Sequence, residues 1–170
     1  VRDFSVEGWR QDYATLATGT SEEQAVFDAG LWLAPKLEAL AYVSKPARLP
    51  VSGVYLFSEG NAPLYVGRTN HLSQRLGNHC RAGSKANQSS FAFRLAREAA
   101  GITEAAYSGD ETRQALMMRP DFVAGFAAAK ARLNQMQIRF VEERDQVQQA
   151  LLEIYCAVAL KTPYNQFGTH

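Results

Sequence analysis

Acidic residues are missing from one long interval of this chain. Between Glu59 and Glu98 there is no Asp or Glu, while Arg68, Arg75, Arg81, Lys85, Arg94 and Arg97 fall inside the interval, with His71 and His79. Solvated faces normally mix both signs, so a block of one sign points to a polyanionic partner even though the formal net charge is only +1. Cysteine is scarce too. Cys80 and Cys156 form neither a disulfide framework nor a metal-ligand spacing, which predicts reduced thiols and a cytoplasmic protein. No apolar run nears the ~18 residues needed to cross a bilayer, so no membrane partner is expected. The densest, residues 151–160, is short and broken by Glu153. The opening Val1-Arg2-Asp3-Phe4 lacks the basic-then-apolar plan of a secretory signal. A start without Met is what a stretch from inside a longer gene product would show. Internal repeats and low-complexity tracts are absent as well.

What is present suits one globular domain with an appendage. The chain has 170 residues, 46% hydrophobic and 21% charged, enough for a sound core. Residues 1–50 read as a helical extension and linker. Ser21-Glu22-Glu23-Gln24 resembles a helix-capping signal, an interrupted apolar stripe runs from Ala25 to Val43, and two prolines bar a continuous helix through Ser44–Pro50. With five basic and seven acidic residues, this part is suited to packing against the core or to homodimerisation rather than to gripping phosphate.

The following stretch predicts a β-hairpin over residues 53–58 and 63–67 with Gly60-Asn61 in its turn, then a helix over 71–80 ending near a left-handed Gly83. Residues 85–90 read as a mobile polar loop. Helices follow around Phe91–Ala99, Thr112–Arg119 and Phe122–Leu133, the last two divided by Pro120. Met136, Ile138 and Phe140 alternate as a third strand does. Asp145 then caps a final helix whose Val147, Leu151, Ile154, Tyr155 and Val158 recur at spacings of three and four.

Gly53-Val54-Tyr55 and Tyr65-Val66-Gly67 resemble the paired signature of the GIY-YIG nucleases, with Val in place of Ile in both halves. Arg75 lies where that family carries its helix arginine. Glu153 is similar to its metal-binding glutamate, and Asn165, after Pro163-Tyr164, to its C-terminal asparagine. The resemblance spans roughly residues 51–167, with 85–134 standing out as a helical insertion. It implies an α+β fold, a three-stranded antiparallel sheet flanked by helices, over a nuclease domain at 51–170. It also implies a DNA endonuclease using Mg²⁺ or Mn²⁺ in one-metal activation of water. Arg75-x-x-x-His79 resembles the restriction-endonuclease branch, where a histidine one turn after the arginine joins the site.

The chemistry these residues offer is consistent with that expectation. Two phenols on neighbouring strands can meet at one point if both face the same side of the sheet. The resemblance makes Tyr55 the general base and Tyr65 an orienting or proton-relaying hydroxyl; Arg68, Arg75 or a metal would favour a phenolate. A buried strand ring with a wet hydroxyl is the ordinary alternative. Arg75 suits a scissile phosphate, since its fork matches two oxygens and keeps its charge. Arg68 suits a phosphate or leaving-group contact. His79 shares a helix face with Arg75, placing it to bond the phosphate or Tyr55, or to cap the helix end. Glu153 is the only charge between Asp145 and Lys161, open to a structural salt bridge or to a single Mg²⁺, which accepts few protein ligands. Asn165 would brace the site or simply turn the chain. Arg81, Lys85 and Arg94 would track the DNA backbone, and Asn87, Gln88 and Arg94 in the insertion have the chemistry to read base edges. The rival reading is a non-catalytic DNA-binding or interaction module on the same scaffold. Restriction-like and structure-specific repair roles are both open.

Overall fold

The computed structural model describes residues 33, 35–40, 50–102 and 109–165. The Ser21 cap, most of the linker before Pro50, the break at Tyr107-Ser108 and the tail from Gln166 lie outside the described residues, as does most of the segment on which a homodimer was expected.

Strands β1 (Gly53–Glu59) and β2 (Ala62–Thr69) form the expected hairpin, turning at Gly60 with φ +55°. β3 (Gln137–Glu142) pairs antiparallel with the other edge of β1, so the order is β2-β1-β3. A central strand is covered on both faces, which is why Val54-Tyr55-Leu56-Phe57 reads as a continuous apolar run. This is the expected α+β architecture.

Tyr55, Phe57, Tyr65, Ile138 and Phe140 belong to one face. Covering it are α1 (Leu72–Cys80), α2 (Ser90–Ala99), the single turn α3 (Arg113–Leu116) and α4 (Pro120–Gln135), through Leu72, Phe91, Leu95, Leu116, Phe122, Phe126 and Leu133. Residues 85–134 thus roof the tyrosine face together with α1. Pro120 starts α4, where its missing N–H costs nothing. The helix expected over Thr112–Arg119 shrinks to α3, with Thr112 Oγ1 capping Ala115 N at 3.2 Å. Gly83 does not take the left-handed turn expected of it; after α1 the chain leaves through an extended Arg81.

On the opposite face, Val54, Leu56 and Val66 meet α5 (Gln146–Ala159) and Leu33, Leu37 and Leu40 from a short helical segment. Lys36 of that segment pairs with Glu143, fastening it to the loop before α5. Asp145 caps α5 as expected, Oδ1 accepting Gln148 N at 2.8 Å. The apolar stripe of α5 faces outward. Val147, Leu151, Ile154 and Val158 are 46–68% exposed, and α5 buries Gln149, Leu152, Cys156 and Ala157 instead. Gln149 is tolerated inside because its amide donates to Asn70 Oδ1 (3.0 Å) and to the Glu143 carbonyl (2.9 Å).

Gly53 has a steric reason to be glycine. A Cβ there would lie 2.0 Å from the Val141 carbonyl oxygen, which belongs to the β1–β3 pairing. Gly53→Ala should therefore lower unfolding stability by about 1–3 kcal/mol, as overpacking does. In urea titrations the midpoint should fall while the slope is unchanged.

Candidate active site

The hairpin register pairs Tyr55 with Gly67 and Phe57 with Tyr65, so both tyrosines rise from the same face, their rings 6.3 Å apart. Gly67 is the space that Tyr55 fills: a Cβ there would sit 2.4 Å from the phenol oxygen. The Tyr65 ring stacks on Phe91 of α2 at 4.6 Å and 16°.

Arg75 reaches in from α1. Its Nε donates to Tyr55 Oη at 3.0 Å, Nη1 to the Gln88 carbonyl at 3.2 Å and Nη2 to Ser90 Oγ at 3.3 Å. One turn later, His79 Nε2 lies 2.9 Å from the same phenol oxygen. Of the roles open to His79 in the sequence, the bond to Tyr55 is the one present. Arg75 can only donate, so the phenol proton is free to point at His79 Nε2, which makes Nδ1 the protonated ring nitrogen. Nδ1 is buried and has no partner. The Ser89 hydroxyl donates to the His79 carbonyl at 2.9 Å, tying the end of α1 to the start of α2.

Burial decides the charge state of this cluster. It pushes the Tyr55 phenol up, the neighbouring Tyr65 adds to this, and Arg75 only partly opposes them. The phenolate expected from nearby arginines is thus outweighed by desolvation. Burial, and then Arg75, hold His79 down to about 3. The resting pair is phenol and neutral imidazole. Burial also works against the Arg75 charge, but Tyr55 and Tyr65 outweigh it.

Glu153 arrives from the other side of the sheet. Its carboxylate, 22% exposed, accepts Arg68 Nε at 3.0 Å, and its charge reaches both Arg75 and Tyr55. Burial raises its pKa, with Arg68 and then Arg75 opposing. The salt bridge that sequence reasoning left open is therefore formed.

Asn165 stands apart from the hydroxyls. Its Oδ1 accepts Val66 N and its Nδ2 donates to Val66 O, both at 2.8 Å, so its amide mimics a paired residue along the outer edge of β2. Thr162 Oγ1 holds the same Oδ1 at 2.8 Å. Asn165 is a positioning residue between Tyr65 and Gly67. Arg81 folds back over Gly77 and lines a separate depression of about 600 Å³ with Val51, His71, Ser73 and Gln74. Lys85 is exposed, and Arg94 donates to the Tyr164 carbonyl. Sequence reasoning missed Ser90 and the Gln88 carbonyl as the holders of Arg75. A carbonyl has no sequence signature, and Ser90 is one of several small polar residues in its stretch. The supposed mobile loop is pinned at Gln88 by Arg75 and at Ala86 by Arg113.

Among the described residues no three His, Cys, Asp or Glu side chains converge on a metal position. The donor chemistry nonetheless suits Mg²⁺ or Mn²⁺. Glu153 is a hard oxygen donor, half-sheltered beside the cluster, and Mg²⁺ is commonly held by one or two carboxylates with waters and substrate phosphate.

A depressed histidine has a readable consequence. The unfolded chain takes up a proton near pH 6.5 and the folded chain only near 3, so stability from His79 is complete above about 6.5 and lost as pH falls toward 3. Between pH 6.5 and 5 the wild type should lose stability with a slope approaching ~1.4 kcal/mol per pH unit beyond that of His79→Gln. Parallel curves in pH-resolved urea titrations would show that His79 is not held neutral.

Residues 51–117 match the family model of the GIY-YIG catalytic domain. The match takes in both hairpin strands, α1, α2 and α3, and stops before Glu153 and Asn165. Comparisons with curated proteins and with solved structures gave no match. Among the described residues no helix is long and apolar enough to cross a membrane. A glycine-flanked tyrosine on each hairpin strand, the helix arginine over them and the family-model match together identify residues 51–117 as a GIY-YIG catalytic domain.

Proposed function

We propose that the chain is a divalent-metal-dependent DNA endonuclease that hydrolyses phosphodiester bonds, with residues 51–170 as the nuclease domain and residues 1–50 as an extension to it. The observation that carries this reading is the convergence on one phenol oxygen of a fixed cation, a neutral imidazole and, across the sheet edge, the field of a lone carboxylate.

The roles follow from position. Arg75 binds the scissile phosphate and offsets charge developing on its oxygens. Tyr55 takes the proton of the attacking water as its own passes to His79 Nε2. At rest this transfer is opposed first by the burial of His79 and then by Arg75, which repels an imidazolium. A bound phosphate neutralises Arg75 and so makes His79 more basic. Tyr65, fixed by Phe91, orients the water or the phosphate. Glu153 would hold Mg²⁺ or Mn²⁺, which supplies Lewis acidity to the phosphate and lowers the pKa of bound water. Arg68 must release Glu153 for this. It is 44% exposed, and such pairs cost only about 0–1 kcal/mol to open. Once released, Arg68 is free to take a phosphate or leaving-group oxygen. Arg81 and Lys85 suit backbone contacts beyond the cut, and Asn87 with Gln88 at the insertion's edge suits base reading.

With supercoiled plasmid or branched duplex and Mg²⁺ or Mn²⁺, cleavage should fall by about 10²–10⁴-fold in Tyr55→Phe and by a comparable factor in Arg75→Ala and Glu153→Ala. Undiminished cutting by Tyr55→Phe and Glu153→Ala together would overturn the mechanism. Salt-sensitive binding of DNA with no cutting of any substrate would favour the non-catalytic module.

A further inference from the structure

The insertion carries a cluster of arginines that the reaction above does not use. Arg94 and Arg97 are three residues apart on α2, hence neighbours on one helix surface. Arg113, at the start of α3, lays its guanidinium over the Phe93 ring at 4.3 Å and donates Nη1 to the Ala86 carbonyl. Arg97 is the telling member, since its Nε and Nη2 are buried and meet no acceptor. Buried guanidinium nitrogens are normally hydrogen-bonded. Among the described residues, no carboxylate pairs with any of the three. Glu98, next along α2, accepts the Tyr164 hydroxyl instead.

We propose that Arg94, Arg97 and Arg113 form a second phosphate-binding site, separate from Arg75, which grips a backbone phosphate of the DNA beyond the cut. The geometry favours an oxyanion: three planar forks, two of their nitrogens idle, and an aromatic ring holding one fork in place. The like charges also act on one another, Arg94 and Arg97 adding to burial in working against the charge on Arg113. An anion between them would relieve that repulsion.

The site is coupled to the active centre through one short segment, since Arg113 holds the Ala86 carbonyl and Arg75 the Gln88 carbonyl. Arg97 lies seven residues beyond Ser90, which holds Arg75. At 1.5 Å rise per residue this is roughly 10 Å along α2, which sets the two sites apart. The proposal rests on DNA being the substrate, so its test must separate the two ideas.

Binding of a fluorescein-labelled duplex, read by anisotropy without divalent cations across a salt series, supplies that separation. Arg97→Gln keeps a side chain that a helix accepts and breaks no side-chain hydrogen bond or ion pair, and thermal melts would confirm folding. Wild type should bind with a steep salt dependence. Arg97→Gln should bind several-fold more weakly, with a log–log slope shallower by about one, and Arg94→Gln/Arg97→Gln by up to about two. Arg97→Lys should keep most of the slope. Lines that coincide with wild type in both slope and affinity would overturn the second site while leaving the nuclease reading untouched. Absence of salt-dependent binding by wild type would remove the DNA reading itself. A free-phosphate arm distinguishes the remaining source. If inorganic phosphate raises the melting temperature of wild type, but not of Arg97→Gln, relative to chloride at equal ionic strength, while the DNA slopes coincide, the site takes a soluble phosphate and DNA is excluded as its ligand.

Discussion

A half-buried guanidinium has to place its donors, and Arg75 places them on three different parts of the fold. Its Nε goes to Tyr55 on the central strand, Nη1 to the Gln88 carbonyl at the edge of the insertion, and Nη2 to Ser90 at the start of α2. Because it cannot shed its charge, each of these must accept. The phenol proton is thereby directed to His79, and the loop after α1 is fixed although its composition gives no reason for order. The Tyr65–Phe91 stack lies beside the same junction, so the insertion is built into the centre rather than appended to it.

Sequence patterns made the hairpin, α1, β3 and the Asp145 cap legible because each is governed by local chemistry: alternation, turn residues, a side-chain acceptor at a helix start. The two tyrosines and Arg75 stood out through the family resemblance, and the hairpin register and a one-turn helical spacing then set where they and His79 lie relative to one another. The phase of α5 was not. Its strongest apolar stripe points outward, and the buried side is Gln149, Leu152, Cys156 and Ala157. Periodicity identifies a helix but not which of two faces a sheet selects. Gln149 is a polar residue on the buried side, and its acceptors Asn70 and Glu143 are 79 and 6 residues away along the chain. The phenol's protonation state was illegible in a different way. Arginines nearby in sequence argue for a phenolate, whereas burial, a property of the whole fold, argues more strongly against it.

Glu153 ties these observations together. A helix packed on the Val54–Leu56–Val66 face should carry its carboxylate away from the tyrosine face, yet Glu153 senses Tyr55 and Arg75. It does so beside the edge strand β2, beyond which, among the described residues, no further strand separates the faces of the sheet. That edge is left with unpaired backbone groups. Asn165 satisfies both groups of Val66 with its side-chain amide, and Arg68, two residues along, pairs with Glu153. The same strand edge therefore has its backbone groups met at one residue and a carboxylate brought round at another. A fourth strand paired with β2 would occupy the place that Asn165 takes. The three-stranded sheet keeps one edge clear of strands, and through that edge the two halves of the site act on each other.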